Sequence, residues 1–485
     1  MEDVAVVQDS GIDYCREAPF HPSVKYSEYP FQNYSRVNLV YNAVRMLFLR
    51  LGLDREHYNT KDWNPLGQLI SPGDAVVIKP NLVRQYNPKG SMDAQITHGS
   101  VIRAVLDYVY LSLKGEGSIT VGDAPVQSCN FEDVVKIAGV DKIVEYYNLN
   151  AEVKVRLIDF RKYTGYPQIS GMMARTELLG DPEGYTLVDL GKFSEFSGKD
   201  DDWKKFRVTN YDSEAMQKYH NDNSHSYLVA NSVLHANVII NLPKLKTHRK
   251  AGMTCALKNM VGIIGSKDCL PHHRIGARND GGDEYLHKDP RKSALTRLHE
   301  IQDTTKNSVV GALGRVGEYV IRGTQCIIPS SDIYNEGSWY GNDTIPRTIV
   351  DINKILLFAN KNGLLEVNRQ RKVFTIVDAI VAGEREGPLE PSPKSIGTLV
   401  VGENSVAVDL VCSQIMGFDY HIIPTLNYAQ SSQKLKICGD LADTIQVHGD
   451  EVIKLSEVFE RYGHQFCPTS GWRGHIEHES MEDLD

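Results

Sequence analysis

The chain has 485 residues, 41% of them hydrophobic and 24% charged, with a formal net charge of −9. That composition fits an ordinary globular protein with room for two or more cores, and the negative charge argues against nucleic acid as a partner. The eight cysteines are scattered with no CxxC, CxxxC or zinc-finger spacing, which excludes a chain-encoded iron–sulfur cluster or structural zinc site from the expectation.

Free thiols in a reducing cytoplasm are the expected state of those cysteines. The opening MEDVAVVQDSGIDYC lacks a basic region and a long apolar core, so no signal peptide is expected. No stretch approaches ~20 continuous apolar residues, so no membrane association is expected.

Taken in chain order, strand and helix patterns alternate. Residues 1–35 open on the alternating VAVVQDS and pass into an aromatic, polar stretch. Residues 37–52 (VNLVYNAVRMLFLRLG) have helical spacing and stop at a glycine. DAVVIKPNLV from Asp74 reads as a strand, and THGSVIRAVLDYVYLSL as a helix with Thr97 as its N-cap. SITVGDAP from Ser118 reads as a strand ending in a polar turn, which completes a parallel βαβ pattern.

Residues 151–228 are polar, aromatic and weakly periodic, and read as an insertion or cap over the sheet. HANVIIN from His235 brings the strand pattern back. The run NLPKLKTHRKAGMTCALKNMVGIIG, Asn241 to Gly265, then reads as a cationic loop followed by a small-residue helix. A polar, glycine-rich stretch spans 266–292, a helix is expected from about 293 to 305, and another covers part of 346–360. VFTIVDAIVAG from Val373 reads as a strand followed by a loop; SIGTLVVGENSVAVDLVCSQIMG reads as strand, turn and helix, ending at Gly417.

The expected fold class is therefore α/β, with a mainly parallel central sheet, flanking helices and a polar insertion or cap. Its expected divisions are 1–150, a first α/β segment with an N-terminal extension; 151–230, the insertion; 231–430, a second α/β segment with the basic loop; and 431–485, a C-terminal segment with an acidic tail. Val76–Ile78, Val238–Ile240 and Phe374–Val377 are continuous apolar runs and should be buried central strands.

The basic loop holds Lys244, Lys246, His248, Arg249 and Lys250, between a strand's carboxyl end and a helix's amino end. Free N–H groups, a partial positive charge and full lysine charges make such a place suited to an anion. Lys258 and Asn259 follow on an otherwise apolar helix.

Five strands end in polar residues: Lys79 and Asn81; Asp123; Lys244, Lys246, Thr247 and His248; Asp378 and Glu384; Glu403 and Asn404, with Asp409 inside the next helix. If the strands are parallel, all five ends share one edge of the sheet, where open α/β sheets bind ligands.

The chain lacks a GxxxxGK[ST] loop, a GxGxxG after a strand, HExxH and GxSxG, which sets aside P-loop nucleotide hydrolysis and ordinary dinucleotide binding. His272 and His273 are neighbours and seldom face the same way; one of them with His248 could bind a metal or share protons.

These pieces together resemble the family known as domain of unknown function 362. The resemblance rests on NLPKLKTH followed by ALKNMVG, with VVIKPNLV and TH upstream, the GDAP turn, and VDAIVAGEREGP and GENSVAVDLV downstream. It covers about residues 74–135 and 235–420. Many members carry two ferredoxin-like cysteine clusters and some carry an export signal; this chain shows neither. The resemblance implies no settled reaction. It places Lys79, Asn81, Thr97, His98, Asp123, Lys244, Lys246, His248, Lys258, Asn259, Asp378, Glu384 and Asp409 on matching positions.

The expected function is a cytoplasmic enzyme that binds an anionic small molecule, carboxylated or phosphorylated, for isomerase, lyase or group-transfer chemistry. His248, Asp378 and Glu384 are the acid/base candidates; Lys79, Asn81, His98, Asp123, Lys244, Lys246, Lys258 and Asn259 are the candidate substrate-binding residues. A divalent metal ion is the one cofactor kept open. The alternatives are metal- or cofactor-assisted redox chemistry with an external electron donor, and a non-catalytic anion-binding or assembly protein.

Overall fold

The computed structural model describes residues 2–35, 37–167, 173–198, 202–208, 213–305, 307–327, 334–439, 441 and 443–478. The main sheet uses β1 (Val4–Gln8), β2 (Ala75–Pro80), β3 (Ser118–Asp123), β4 (Val155–Asp159), β5 (Val238–Leu242), β6 (Lys244–His248), β7 (Gly252–Thr254), β8 (Lys372–Glu386), β9 (Glu390–Gly402), β10 (Gln446–His448) and β11 (Val452–Lys454). Its order is β11–β10–β1–β9–β8–β5–β2–β3–β4, with β6 on β8 and β7 on β6. β8, β5, β2, β3 and β4 run parallel.

The apolar runs expected to be central strands are central. Val238 pairs with Val76, and Ile239 with both Val77 and Val373. Side chains alternate across the sheet because successive Cβ atoms point to opposite faces. Val76, Ile78, Ile240 and Phe374 pack under α1 (Leu39–Arg50) and α2 (Gly99–Leu113). Val77, Ile239, Val373 and Val377 pack under α3 (Thr344–Phe358) and α4 (Ser405–Ile415). Two helical layers thus enclose one mainly parallel sheet, as in other α/β proteins.

Within the polar stretch 151–228, β4 extends the parallel row at the edge of the main sheet. A small antiparallel sheet of Tyr185–Asp189, His220–Asn221 and Ser224–Ala230 sets Val188, Tyr227 and Val229 into the core on the α3/α4 side.

Four local expectations are corrected. β9 is antiparallel to β8, so Glu403 and Asn404 leave the sheet on the edge opposite the other strand ends; Asn404 instead caps α4 by accepting from Val406 N and Ala407 N. The KLKTH run is a strand, not a loop. β8 is 15 residues long; β5 pairs with its first part, and after Pro243 the chain continues as β6 along its second part, Lys244 opposite Asp378 and Lys246 opposite Gly383. The AGMTCALKNMVGII run is not one helix: it divides into β7, a four-residue helix Ala256–Asn259 and a 3₁₀ turn Met260–Ile263. Thr97 also does not cap α2; His98 does, through its side chain to Ser100 N.

Candidate functional site

A cavity of about 380 Å³ opens at the carboxyl ends of β2, β3 and β5. Asn81, Arg84 and Asp123 line it from the strand ends, and Lys246, His248, Arg249, Lys250 and Thr254 from the β6–β7 hairpin. Lys258, Asn259 and Gly262 come from the short helical turns, with Lys267 and His272 beyond them. Val83, Val126, Val208, Val261, Pro388 and Leu389 give it apolar walls.

Beneath the cavity lies a fully buried ion pair. Lys79 Nζ is 2.7 Å from Asp123 Oδ1 and donates to Pro80 O at 2.7 Å and Asn259 Oδ1 at 3.0 Å. All three ammonium hydrogens are used. Leu82 N donates to the other Asp123 oxygen at 2.8 Å, and Asn259 Nδ2 donates to Lys79 O and to Asn241 Oδ1. Burial lowers the Lys79 pKa, and Asp123 works against that fall. Lys79 therefore secures Asp123 and the floor; it is not itself a cavity wall. Gly262 passes over this pair so closely that a Cβ there would lie 2.1 Å from Asp123 Oδ1.

A second buried group stands beside the first. Lys244 Nζ is 2.9 Å from Asp378 Oδ2 and donates to the Tyr14 hydroxyl at 2.6 Å. Tyr14 donates to Asp378 Oδ1 and accepts from Val381 N, and His98 N donates to Asp378 at 2.9 Å. The His98 ring stacks on Tyr14 at 4.1 Å, and burial together with the Lys244 and Arg16 charges lowers its pKa to about 3. Lys244, His98 and Asp378 do not line the cavity. The expected convergence of Asp378 with Lys246 and His248 is not met, because Tyr14, Lys244 and His98 already occupy the carboxylate. Glu384 also lies elsewhere: it accepts from Cys467 N at 3.0 Å and pairs with Lys394 at 3.4 Å.

The helix start after the basic run is not free for an anion. The Asp409 carboxylate accepts from Ala256 N at 2.6 Å and Leu257 N at 3.0 Å, so the chain caps that end itself. Burial raises the Asp409 pKa to about 6.

What remains facing the cavity is strongly cationic. Among the described lining residues Asp123 is the one carboxylate, against Arg84, Lys246, Arg249, Lys250, Lys258 and Lys267. Lys246 is fully buried, and among the described residues its ammonium meets only the neutral acceptors Asn81 Oδ1 and Gln95 O. Burial, then the Lys244 and Lys258 charges, push its pKa well down. Lys267 donates to Ala124 O at 3.0 Å. Burial and neighbouring cations bring Lys258 to about 7, and Lys250 and Lys267 to about 8 with help from nearby carboxylates against the fall. Such mutual repulsion is relieved by a bound anion.

The two cavity histidines are set in opposite tautomers by their neighbours. His248 Nδ1 accepts from Lys250 N at 3.1 Å and Ala251 N at 3.2 Å, so the proton of the neutral ring sits on Nε2 and the ring acts as a donor. Burial and the Lys258 charge keep it neutral, pushing its pKa well below the usual histidine value. His248 therefore faces the cavity as a hydrogen-bond donor, where the sequence reading expected an acid/base group. His272 Nδ1 is 2.7 Å from Leu270 O. A carbonyl can only accept, so His272 keeps its free lone pair on Nε2 and the two rings differ in tautomer; burial and the Lys250 and Lys258 charges push its pKa well below the usual histidine value too. Among the described residues no three His, Cys, Asp or Glu side chains gather so as to hold a metal ion.

Sequence reasoning missed Tyr14, Arg84, Lys267 and the Pro388–Leu389 wall. Arg84 follows the IKPNLV strand end directly, which is a usable signal. Tyr14 lies in the N-terminal aromatic stretch with no pattern to single it out.

The family described as "Domain of unknown function (DUF362)" matches residues 76–175 and 197–414, more than half of the chain, and the chain belongs to that family. It is 21% identical over 361 residues, 74% of this chain and 68% of the relative, to "Thylakoid-associated protein sll1697" of Synechocystis sp. (strain ATCC 27184 / PCC 6803 / Kazusa). A crystal structure of a Thermotoga maritima protein aligns with 76% of this chain and 58% of that one, at 12% identity and a TM-score of 0.31.

Proposed function

We propose that this member of the domain of unknown function 362 family is an enzyme acting on an anionic small molecule, carboxylated or phosphorylated, by acid/base chemistry of isomerase, lyase or group-transfer type. One observation carries the reading: six cationic side chains face a 380 Å³ cavity whose single described carboxylate is already paired with Lys79. Cationic side chains gathered around a partly apolar cavity are the usual complement of a small charged ligand.

Lys246 and Lys267 supply charge, Lys258 stands beside them, and His248 Nε2–H supplies a neutral donor. His272 is the acid/base group, because its Nε2 is the histidine lone pair left open. Asp123 takes a positioning role through Lys79. No helix among the described residues is long and apolar enough to cross a membrane. A cytoplasmic setting belongs to the same proposal and is supported by the seven cysteines with described side chains, none of which is in a disulfide.

Native mass spectrometry of the freshly purified protein, followed by calorimetric titration with pyrophosphate and with di- and tricarboxylates, tests it. Micromolar binding of at least one anion, lost in Lys246→Met, is expected. Absence of binding across the panel would overturn the reading.

A further inference from the structure

Among the described residues Lys258 differs from the other cavity lysines. Lys79 and Lys244 are held by carboxylates, Lys246 by two neutral acceptors, and Lys267 by Ala124 O. Lys250 also has interaction partners. Lys258 lines the cavity, and among the described residues no hydrogen bond or ion pair reaches its ammonium. It is half-buried, on a rigid turn whose N–H groups Asp409 holds.

We propose that Lys258 is a nucleophilic amine that forms an imine with a carbonyl group of the anionic substrate. The proposal rests on the anion-binding reading of the cavity. Lys246, Lys267 and the His248 Nε2–H hold the substrate's anionic group, and Lys258 meets its carbonyl carbon. The Nζ lone pair forms the new N–C bond as the C=O π bond opens onto oxygen. His272 Nε2 takes a proton from the nitrogen and returns it to that oxygen, giving a carbinolamine. The second nitrogen hydrogen then goes to the hydroxyl, the C–O bond breaks, and water leaves the C=N product. No oxidant or reductant enters. The substrate class is an aldehyde or ketone carrying a phosphate or carboxylate.

Two physical features make the amine competent. Burial and the charges of Lys267, Lys79 and Lys250 favour its neutral form, as neighbouring cations do in imine-forming enzymes. The free tautomeric position of His272 supplies a proton carrier in the same cavity.

Pyridoxal 5′-phosphate, an aldehyde with a phosphate, serves as the probe at pH 7.5, with borohydride to trap the adduct and peptide mass mapping to locate it. Lys258 should be trapped on the order of 100-fold faster than exposed lysines such as Lys288, because burial and neighbouring cations favour the neutral Lys258 amine. Inorganic pyrophosphate should suppress the adduct at Lys258 and leave the exposed sites unchanged. Lys258→Arg and Lys258→Met should both lose the fast phase while keeping the wild-type circular dichroism spectrum.

Labelling spread by exposure, with Lys258 unmodified, would overturn the imine. If pyrophosphate still binds by calorimetry in that case, the anion-binding reading survives alone. If pyrophosphate does not bind either, both fall.

Discussion

Gly262 lies directly over the ion pair of Lys79 and Asp123: a Cβ on Gly262 would meet Asp123 Oδ1 at 2.1 Å and Lys79 Nζ at 2.6 Å. The charged floor of the cavity is thus covered by bare backbone, and Gly262 O accepts from Ala124 N at 2.8 Å to fasten the cover. Gly262→Ala should destabilise the protein by about 1–3 kcal/mol, the usual cost of overpacking a core. Urea unfolding checks this; an unchanged midpoint would contradict the close approach.

Tyr14 joins Lys244, Asp378 and Val381 in the second buried group. Tyr14→Phe removes one hydroxyl that serves three partners, and should cost about 1–3 kcal/mol of stability because buried polar groups lose a partner. Pyrophosphate affinity should change less than threefold, since none of the three lines the cavity. A large loss of binding with unchanged stability would move Asp378 back among the substrate-binding groups.

The cavity lysines give stability a defined dependence on pH. Lys258 sits at about 7 and Lys250 and Lys267 at about 8 in the folded protein, against about 10.4 for an unfolded chain. Between those values the unfolded state binds more protons, so stability rises with pH from about 7 to about 10. Thermal melts across that range should climb, and saturating pyrophosphate should flatten the climb by restoring the lysine charges.

Asp409 acts with the opposite sign. Its folded value of about 6 exceeds the ordinary aspartate value of about 3.9. The folded state therefore binds more protons between about 4 and 6, and stability falls as pH rises through that window. Asp409→Asn should remove part of this slope and also cost about 1 kcal/mol through the weaker cap on Ala256 and Leu257. Chemical unfolding at pH 4, 5 and 6 separates the two effects.

Four of the five parallel strands, β2, β3, β5 and β8, were legible because each opens on a short apolar run, as in VVI before Lys79 and VII before Asn241; β4 was not, because Arg156 and Asp159 interrupt its apolar pattern. β6 was not legible as a strand. KLKTH has no apolar run, and its extended form depends on pairing with the second part of β8, more than a hundred residues later. The same distance hid the fate of the lysines. Lys79 and Lys244 look like binding residues until Asp123 and Asp378 are seen to occupy them. Lys246, His248 and Lys258 were legible as a cluster because they lie within 13 positions of one another. His272 was noticed only as half of a histidine pair; its usefulness comes from the Leu270 carbonyl, which fixes the ring.

The hairpin carrying Lys246 and His248 is latched by residues far downstream of it, Cys467 to Trp472. Trp472 Nε1 donates to Arg249 O at 2.8 Å, and the Trp472 ring closes over Gly252, where a Cβ would meet it at 3.1 Å. Arg385 N donates to Cys467 O, which ties the neighbouring β8–β9 turn to the same tail. The central strands finish at Gly402, so a ribosome that stopped shortly afterwards would release a chain with its main parallel row and no clasp on the cationic hairpin. The clasp is therefore translated only after the whole parallel row. Nascent fragments would carry the lysines without the arrangement that lets them share one ligand.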